Sequence, residues 1–305
     1  MRVVYLDGQF VPESDAKLSI YDLSVMQSVA AFEMTRSFNG EHFKLWEHVE
    51  RLRKSCAALS IDCHWSSDDL FQICMETAEM NDHGAGEEHR LLIVVSPGCA
   101  PMYRELSGVL DHPFVYIADF PLRYTVAGMG RAFTEGVHAV TSPIQQVPDA
   151  CLPSQAKHRS RLHFHLAQQQ APTGTWPLLT DRRGWYTEAP GANIITVRPG
   201  ISGRGPDRIE ALTVNALPGI SMETVRELTG ARQGTWTSRQ PRPKECWLTG
   251  TPFCMLPVVS LDGKPIGDGT PGPVFKETLA KWSELVGVDI QGQIEGWDAE
   301  RPDAN

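Results

Sequence analysis

The chain is 305 residues long, 41% hydrophobic and 21% charged, with a formal net charge of −9. That length buries a real core and suits one large or two medium domains. The acidic balance argues against a nucleic-acid partner, which selects a basic face, and no apolar run of membrane-spanning length occurs.

The opening MRVVYLDGQF reads as a strand and a turn, not a signal peptide, because no apolar core follows the charge. VVYLDGQFV predicts a hairpin around Asp7-Gly8, and FEMTRSFNGEHFKL a second around Asn39-Gly40. Leu45, Val49, Leu52, Cys56 and Leu59 recur at helical spacing and predict an amphipathic helix from about Trp46 to Ser60. Ser66-Ser67-Asp68-Asp69 opens a second helix that runs to Met80. HRLLIVVS and PFVYIADF read as buried strands. Residues 1–120 therefore predict a small α+β domain, followed by a connection over 121–136.

Residues 137–290 predict a larger, β-rich domain with helices, so the whole chain reads as α/β (α+β) with two domains. VHAVTSP begins this domain, an element runs from just after Lys157 to about Gln170, and WPLLTD, GWYTEA and ANIITV read as strands. Pro218-Gly219 precedes a helix, ISMETVRELTG, closed by Gly230. ECWLTGTPFCMLPVVSLDGKPIGDG reads as strand, turn and hairpin, and a last helix follows Pro273 and ends near Gly287. Residues 291–305 are polar and are expected to form a flexible tail. The seven cysteines are scattered, with no CxxC pair and no disulfide framework, which suits reduced thiols in a cytoplasm.

One residue stands out by its rarity. Between Lys54 and Lys244 the chain uses arginine fifteen times and lysine once, at Lys157. An ammonium can lose its proton and attack a carbonyl, whereas a guanidinium in practice cannot. Four further pieces carry chemistry: Arg51 in EHVERLRKS, Glu188 and Asn193 in TEAPGANI, Gly219-Ile220-Ser221 in LPGIS, and Gly250-Thr251 in LTGTP. Each alone also reads as ordinary: a solvated arginine, a strand-end carboxylate, a helix cap, a turn. No GxxxxGK[ST] is present and no GxGxxG follows a strand, so a nucleotide cofactor lacks support. His163 and His165 lie two apart on an expected helix, where their rings would point about 200° apart. No HExxH accompanies them, so no metal site is expected.

Taken in order, these pieces resemble the class IV (fold type IV) pyridoxal-phosphate aminotransferases. YLDGQFV, the aspartate of YDLS, FEMTRSFNGEHFKL, HVERLRKS, Lys157, TEAPGANI, LPGIS, LTGTPFCMLPV and DGKPIGDGTPGPV carry the resemblance from about Val3 to Val286. The family includes branched-chain and D-amino-acid aminotransferases, some amine transaminases and aminodeoxychorismate lyase. The resemblance implies a two-domain fold type IV enzyme that uses pyridoxal 5′-phosphate. It further implies ping-pong transfer of an amino group from an amino acid or amine to a 2-oxo acid, most like the branched-chain enzymes, in a homodimer. Lys157 would hold the cofactor as a Schiff base and then carry the Cα proton, a task that needs a neutral amine near pH 7. Glu188 would pair with the pyridine nitrogen, and Asn193 would orient that edge. Arg51, Gly219, Ile220, Ser221, Gly250 and Thr251 would bind the phosphate through a guanidinium, a helix start and hydroxyls.

On the substrate side the resemblance points to Phe32, Met34, Arg36, Arg90 and Arg104. Met34 stands where branched-chain enzymes have glycine and should narrow the pocket. Arg161 and Leu162 stand where the family often has asparagine and tyrosine, and Met222 replaces a usual arginine. The cofactor motifs are equally compatible with a lyase of the aminodeoxychorismate type that releases pyruvate. A relative that keeps the fold as a binding module is a third reading.

Overall fold

Asp7 and Gly8 adopt φ of 46° and 85°, and Asn39 and Gly40 adopt 52° and 80°. Both pairs are the left-handed two-residue turns that join tightly twisted strands. The first joins Val3–Leu6 to Gln9–Pro12, and the second joins Ser37–Phe38 to Glu41–His42. The computed structural model describes residues 1–106, 108–200 and 205–300. Its packing falls into two compact units, one of Met1–Tyr124 with Gln155–Arg161, the other of Thr125–Ser154 with the chain from Leu162 onward.

The first unit holds a five-stranded antiparallel sheet in the order Gln9–Pro12, Val3–Leu6, Phe114–Pro121, His89–Ser96, Ala31–Met34. Helices Leu45–Ala58 and Ser67–Glu79 supply the residues that cover one face. Ser66 and Asp69 form a reciprocal capping box at the second helix, satisfying two amides that the helix itself cannot. Because side chains alternate across a strand, Leu91, Ile93, Val95, Val115 and Ile117 meet Val49, Leu52, Cys56, Leu70 and Cys74 in one apolar core. The other face carries Phe32 and Val94, with Met34, Leu92 and Tyr116 packed against them.

Residues 155–161 complete this sheet at its open edge. Phe32 N donates to Lys157 O at 3.0 Å and Arg159 N donates to Ala30 O at 3.0 Å, with Ala31 opposite His158. A segment far along the chain thus becomes the outermost partner of the strand Ala31–Met34.

The second unit is built on a nine-stranded mixed sheet whose main order is Arg232–Gly234, Arg208–Leu212, Ala192–Arg198, Glu245–Gly250, Cys254–Leu261, Val137–Thr141, Thr175–Leu178. Glu188–Ala189 pairs with Ala192–Arg198 through the turn Pro190-Gly191, and Lys264–Pro265 pairs with Cys254–Leu261. Helices Ile220–Thr229 and Pro273–Val286 end at Gly230 and Gly287, each left-handed at φ 69° and 66°. The buried Glu245 carboxylate caps the second of these from the sheet, accepting from Val274 N at 2.9 Å and Phe275 N at 2.8 Å.

Three elements differ from the sequence reading. Arg232–Gly234 is short and without an apolar side chain, so no hydrophobic alternation announces it, and in Arg208–Leu212 the alternation lasts only a few residues. Residues 291–299, expected to fray, instead lie in a helix over Ile290–Ala299 that buries Ile290, Ile294 and Trp297. Those three positions are spaced four and three apart, one face of a helix, and outweigh the polar composition. Residues 301–305 of the expected tail lie outside the described residues. All seven cysteines are free, and among the described residues no helix is long and apolar enough to cross a membrane.

Candidate active site

In the first unit, the residues picked from the sequence sit on both faces of the five-stranded sheet. Glu33 lies between Phe32 and Met34 in its strand and so points to the helix-covered face. There it is fully buried and accepts from Arg51 Nε at 2.6 Å and Arg51 Nη2 at 2.9 Å, a bidentate pair. His48 Nδ1 lies 2.7 Å from Glu33 Oε2, the oxygen that also accepts from Arg51 Nη2. Burial alone would push the Glu33 carboxyl up; the Arg51 guanidinium and His48 outweigh it and hold it well below the usual carboxylate range. Burial lowers His48, with the Arg51 and Lys157 charges adding to the effect against Glu33. His48 is thus a neutral imidazole donating Nδ1–H to an ionised carboxylate.

His48, Arg51 and Ser55 lie three and four apart, forming a polar stripe beside the apolar stripe of Leu45–Ala58. Ser55 Oγ donates to Arg51 O at 2.8 Å and accepts from Lys157 N at 3.0 Å. The helix therefore fixes the backbone of Lys157 as well as the guanidinium of Arg51. Sequence reasoning offered Arg51 as a solvated residue or a phosphate ligand and gave no role to Glu33, His48 or Ser55. The spacing of the polar stripe was the available signal.

The opposite face carries the substrate-side candidates. Lys157 Nζ stands 4.8 Å from the centroid of the Phe32 ring, with Arg159 Cζ at 4.4 Å and Arg161 Cζ at 5.8 Å. Three basic side chains thus lie within 6 Å of one aromatic centroid, where the ring quadrupole attracts positive charge. Arg90 is 5% exposed, and its contacts are weak ones: Thr35 O at 3.5 Å and Met34 Sδ at 3.5 Å. Its Nε is buried without a hydrogen-bond partner, and no carboxylate pairs with it among the described residues. Burial first, then the neighbouring Arg36, push Arg90 down to about 9, which leaves it charged at neutral pH. Arg36 is itself buried, its guanidinium 3.7 Å above the Phe38 ring. Arg104 is exposed after the short turn Pro101–Tyr103 and joins none of these contacts.

The second unit gathers the remaining candidates. Glu188, Asn193 and Thr249 are direct cross-strand neighbours, so their side chains share one face. Glu188 is buried and accepts from Gln146 Nε2 at 2.7 Å, a partner that sequence reasoning missed. Asn193 Nδ2 donates to Leu217 O at 2.8 Å, tying the strand to the start of helix Ile220–Thr229. A Cβ on Gly219 would lie 1.9 Å from Asn193 Oδ1, so only glycine allows this approach. Gly219 caps the helix without a side chain, and the first-turn amides, including those of Ile220 and Ser221, have no helical carbonyl to meet. A Cβ on Gly250 would press on Phe253 and on Gly191 O at 2.8 and 3.0 Å. Thr249 Oγ1 is buried without a partner, next to Gly250 and the half-buried Thr251.

His163 and His165 share the helix Leu162–Gln170, as expected. The sequence reading assigned no metal ligands, yet the structure gathers His83, His89 and Asp119 within the first unit.

These two groups of residues can be set beside known proteins. The model of the family described as amino-transferase class IV matches residues 30–261. A branched-chain-amino-acid aminotransferase of Salmonella typhimurium is 25% identical over 314 residues, covering 92% of this chain and 96% of its own. A D-alanine aminotransferase of Bacillus licheniformis is 25% identical over 280 residues, covering 90% and 94%. The crystal structure of the branched-chain aminotransferase of Thermoproteus uzoniensis with norvaline superposes with a TM-score of 0.78 at 24% identity, covering 97% of both chains. The architecture is therefore fold type IV, the scaffold of a class of aminotransferases. This chain belongs to the class IV aminotransferase family, whose match covers most of its length.

Proposed function

We propose that the chain is a pyridoxal 5′-phosphate-dependent transaminase moving an amino group from an amino acid to a 2-oxo acid in two half-reactions. An apolar amino acid of the branched-chain type is the favoured donor. One observation carries the reading. The single lysine of a long arginine-using span is pinned by its backbone to Phe32 and Ser55, with its amine over the Phe32 ring.

Each unit carries donors of the kinds that the cofactor needs. Lys157 offers an amine to its aldehyde, Glu188 a buried carboxylate to its ring nitrogen, and the helix start at Gly219 a set of amides to its phosphate. The buried, unpartnered Thr249 Oγ1 beside Gly250 marks a further donor that the fold alone does not use. When bound, the cofactor supplies an electron-withdrawing ring that stabilises the charge left at Cα.

The chain's own residues do the rest. With the cofactor bound, Lys157 Nζ would take the proton from Cα and deliver it to the carbon that had been the cofactor's aldehyde, and reverse that path in the second half-reaction. Gln146, donating to Glu188 Oε1, fixes the carboxylate that would hold the ring nitrogen protonated. Arg51, clamped by Glu33 through Nε and Nη2, would offer its guanidinium to the phosphate. Arg90 holds the substrate carboxylate, which supplies the anion that its buried guanidinium lacks. Phe32, Met34, Leu92, Val94 and Tyr116 give that face the apolar character that an aliphatic side chain needs. Leu18, Ile20, Val25 and Met26 are exposed within nine residues, and this apolar surface supports a homodimer.

The decisive experiment compares wild type with Lys157→Ala. The variant is expected to lose transfer, together with the borohydride-reducible adduct that wild type forms with pyridoxal phosphate. Full turnover in Lys157→Ala would overturn the assignment. With an aliphatic amino acid and 2-oxoglutarate, wild type is expected to form glutamate. Pyruvate release without an acceptor would instead show the lyase reaction.

A further inference from the structure

Away from these residues, the first unit holds a second cluster of polar side chains that the reaction does not use. Asp119 lies near the end of strand Phe114–Pro121, and His89 opens the neighbouring strand His89–Ser96. Leu91 is opposite Asp119 and His89 opposite Pro121, so the two side chains are diagonal neighbours on one face. His83 comes from the loop after helix Ser67–Glu79. Its Nε2 lies 3.0 Å from Asp119 Oδ2, and His89 Nδ1 lies 2.6 Å from the same oxygen. The three atoms all fall within 4.8 Å of one another.

A hydrogen-bonded clamp of two imidazoles on one carboxylate accounts for Oδ2 alone. It leaves two buried atoms unexplained. Asp119 Oδ1 has no partner, although the residue is 2% exposed. His42 Nε2 is also buried without a partner, and its ring centroid is 5.8 Å from that of His89. Asp82 and Glu88 add negative charge around His89.

We propose that His83, His89 and Asp119 form a binding site for a divalent transition-metal ion of the zinc type, with His42 or a water in the fourth position. Two imidazoles and one carboxylate are donors that such an ion accepts. Tetrahedral coordination at about 2.0–2.1 Å would set ligand atoms roughly 3.4 Å apart. The two separations from Asp119 Oδ2, 3.0 and 2.6 Å, are shorter than that and the third is within 4.8 Å, so side-chain rotations that part the imidazoles from the carboxylate would bring the three atoms to bonding distance. Asp119 balances one of the two metal charges, and its second oxygen gains a role as a bidentate donor or as acceptor to a bound water.

The site also has a structural consequence. Glu88 accepts from Ser37 Oγ at 2.5 Å and Asn39 N at 2.7 Å, and Arg90 follows His89 directly. An ion at His89 would fasten the loop after the second helix to the strand that carries Arg90.

The test is zinc binding to the chelator-treated holoenzyme by titration calorimetry, with cobalt as the spectroscopic probe. One equivalent is expected, with a rise in thermal midpoint on adding zinc. His83→Gln, a loop substitution, is expected to weaken binding roughly 100-fold while leaving transamination in place. No stoichiometric binding, or equal affinity in His83→Gln, would overturn the site. Should that variant not fold, the wild-type cobalt spectrum decides. Tetrahedral d–d bands without thiolate charge transfer support the site; a thiolate band or no band refutes it.

Discussion

The two faces of the five-stranded sheet treat buried charge in opposite ways. Under the helices, Glu33 is matched by Arg51 and His48, each at hydrogen-bonding distance. On the other face Arg90 is as deeply buried, yet no carboxylate meets it among the described residues. The first arrangement is internally complete and holds parts in place. The second leaves a buried cation with no counter-charge among the described residues, a costly arrangement.

Substitutions on each face sharpen this contrast. The largest loss of stability is expected from Glu33→Gln, which strands the buried Arg51 guanidinium. Unfolding in urea should show a loss of about 3–5 kcal/mol. A loss under about 1 kcal/mol would mean that the pair is not the clamp described. Arg90→Met should do the reverse. KM for amino acid donors should rise roughly 100-fold, while stability holds or increases by about 1 kcal/mol. Parallel loss of stability and activity would show that Arg90 is structural after all.

A smaller effect is expected at Met34, whose sulfur lies against Arg90 Nη2. Met34→Gly should widen the pocket and shift the kcat/KM ratio toward bulkier donors by about tenfold. An unchanged ratio across a donor panel would remove Met34 from the pocket wall.

The most gradual effect is that of pH on the paired face. His48 has its folded pKa below the ordinary value of about 6.5, so below that pH the unfolded chain binds more protons. Stability should therefore fall as pH drops through 6.5. Glu33, also held low, adds a further loss below about 4.3. In His48→Gln the part of the slope near 6.5 should flatten, as read from thermal midpoints across pH.

Much of this was legible in the chain alone, for local reasons. Asp7-Gly8, Asn39-Gly40 and the Ser66–Asp69 box act within a few residues, so their turns and caps could be read directly. Lys157 stood out by the residue type chosen. What escaped needed strand parity and long-range pairing. Glu33 reads as one more strand residue until the sheet aims it at Arg51, eighteen positions on. His83, His89 and Asp119 span thirty-six positions and follow no helical or finger spacing. The helix Ile290–Ala299 was written in Ile290, Ile294 and Trp297, but glycines and polar neighbours masked it.

The excursion of residues 155–161 into the first unit has a practical side. The chain enters that unit, leaves it after Tyr124, returns at Gln155 and departs again at Arg161. No single cut can separate the units intact. A fragment ending at Tyr124 would expose the edge of Ala31–Met34 and lack Lys157, whereas a permuted gene joining both pieces could restore them.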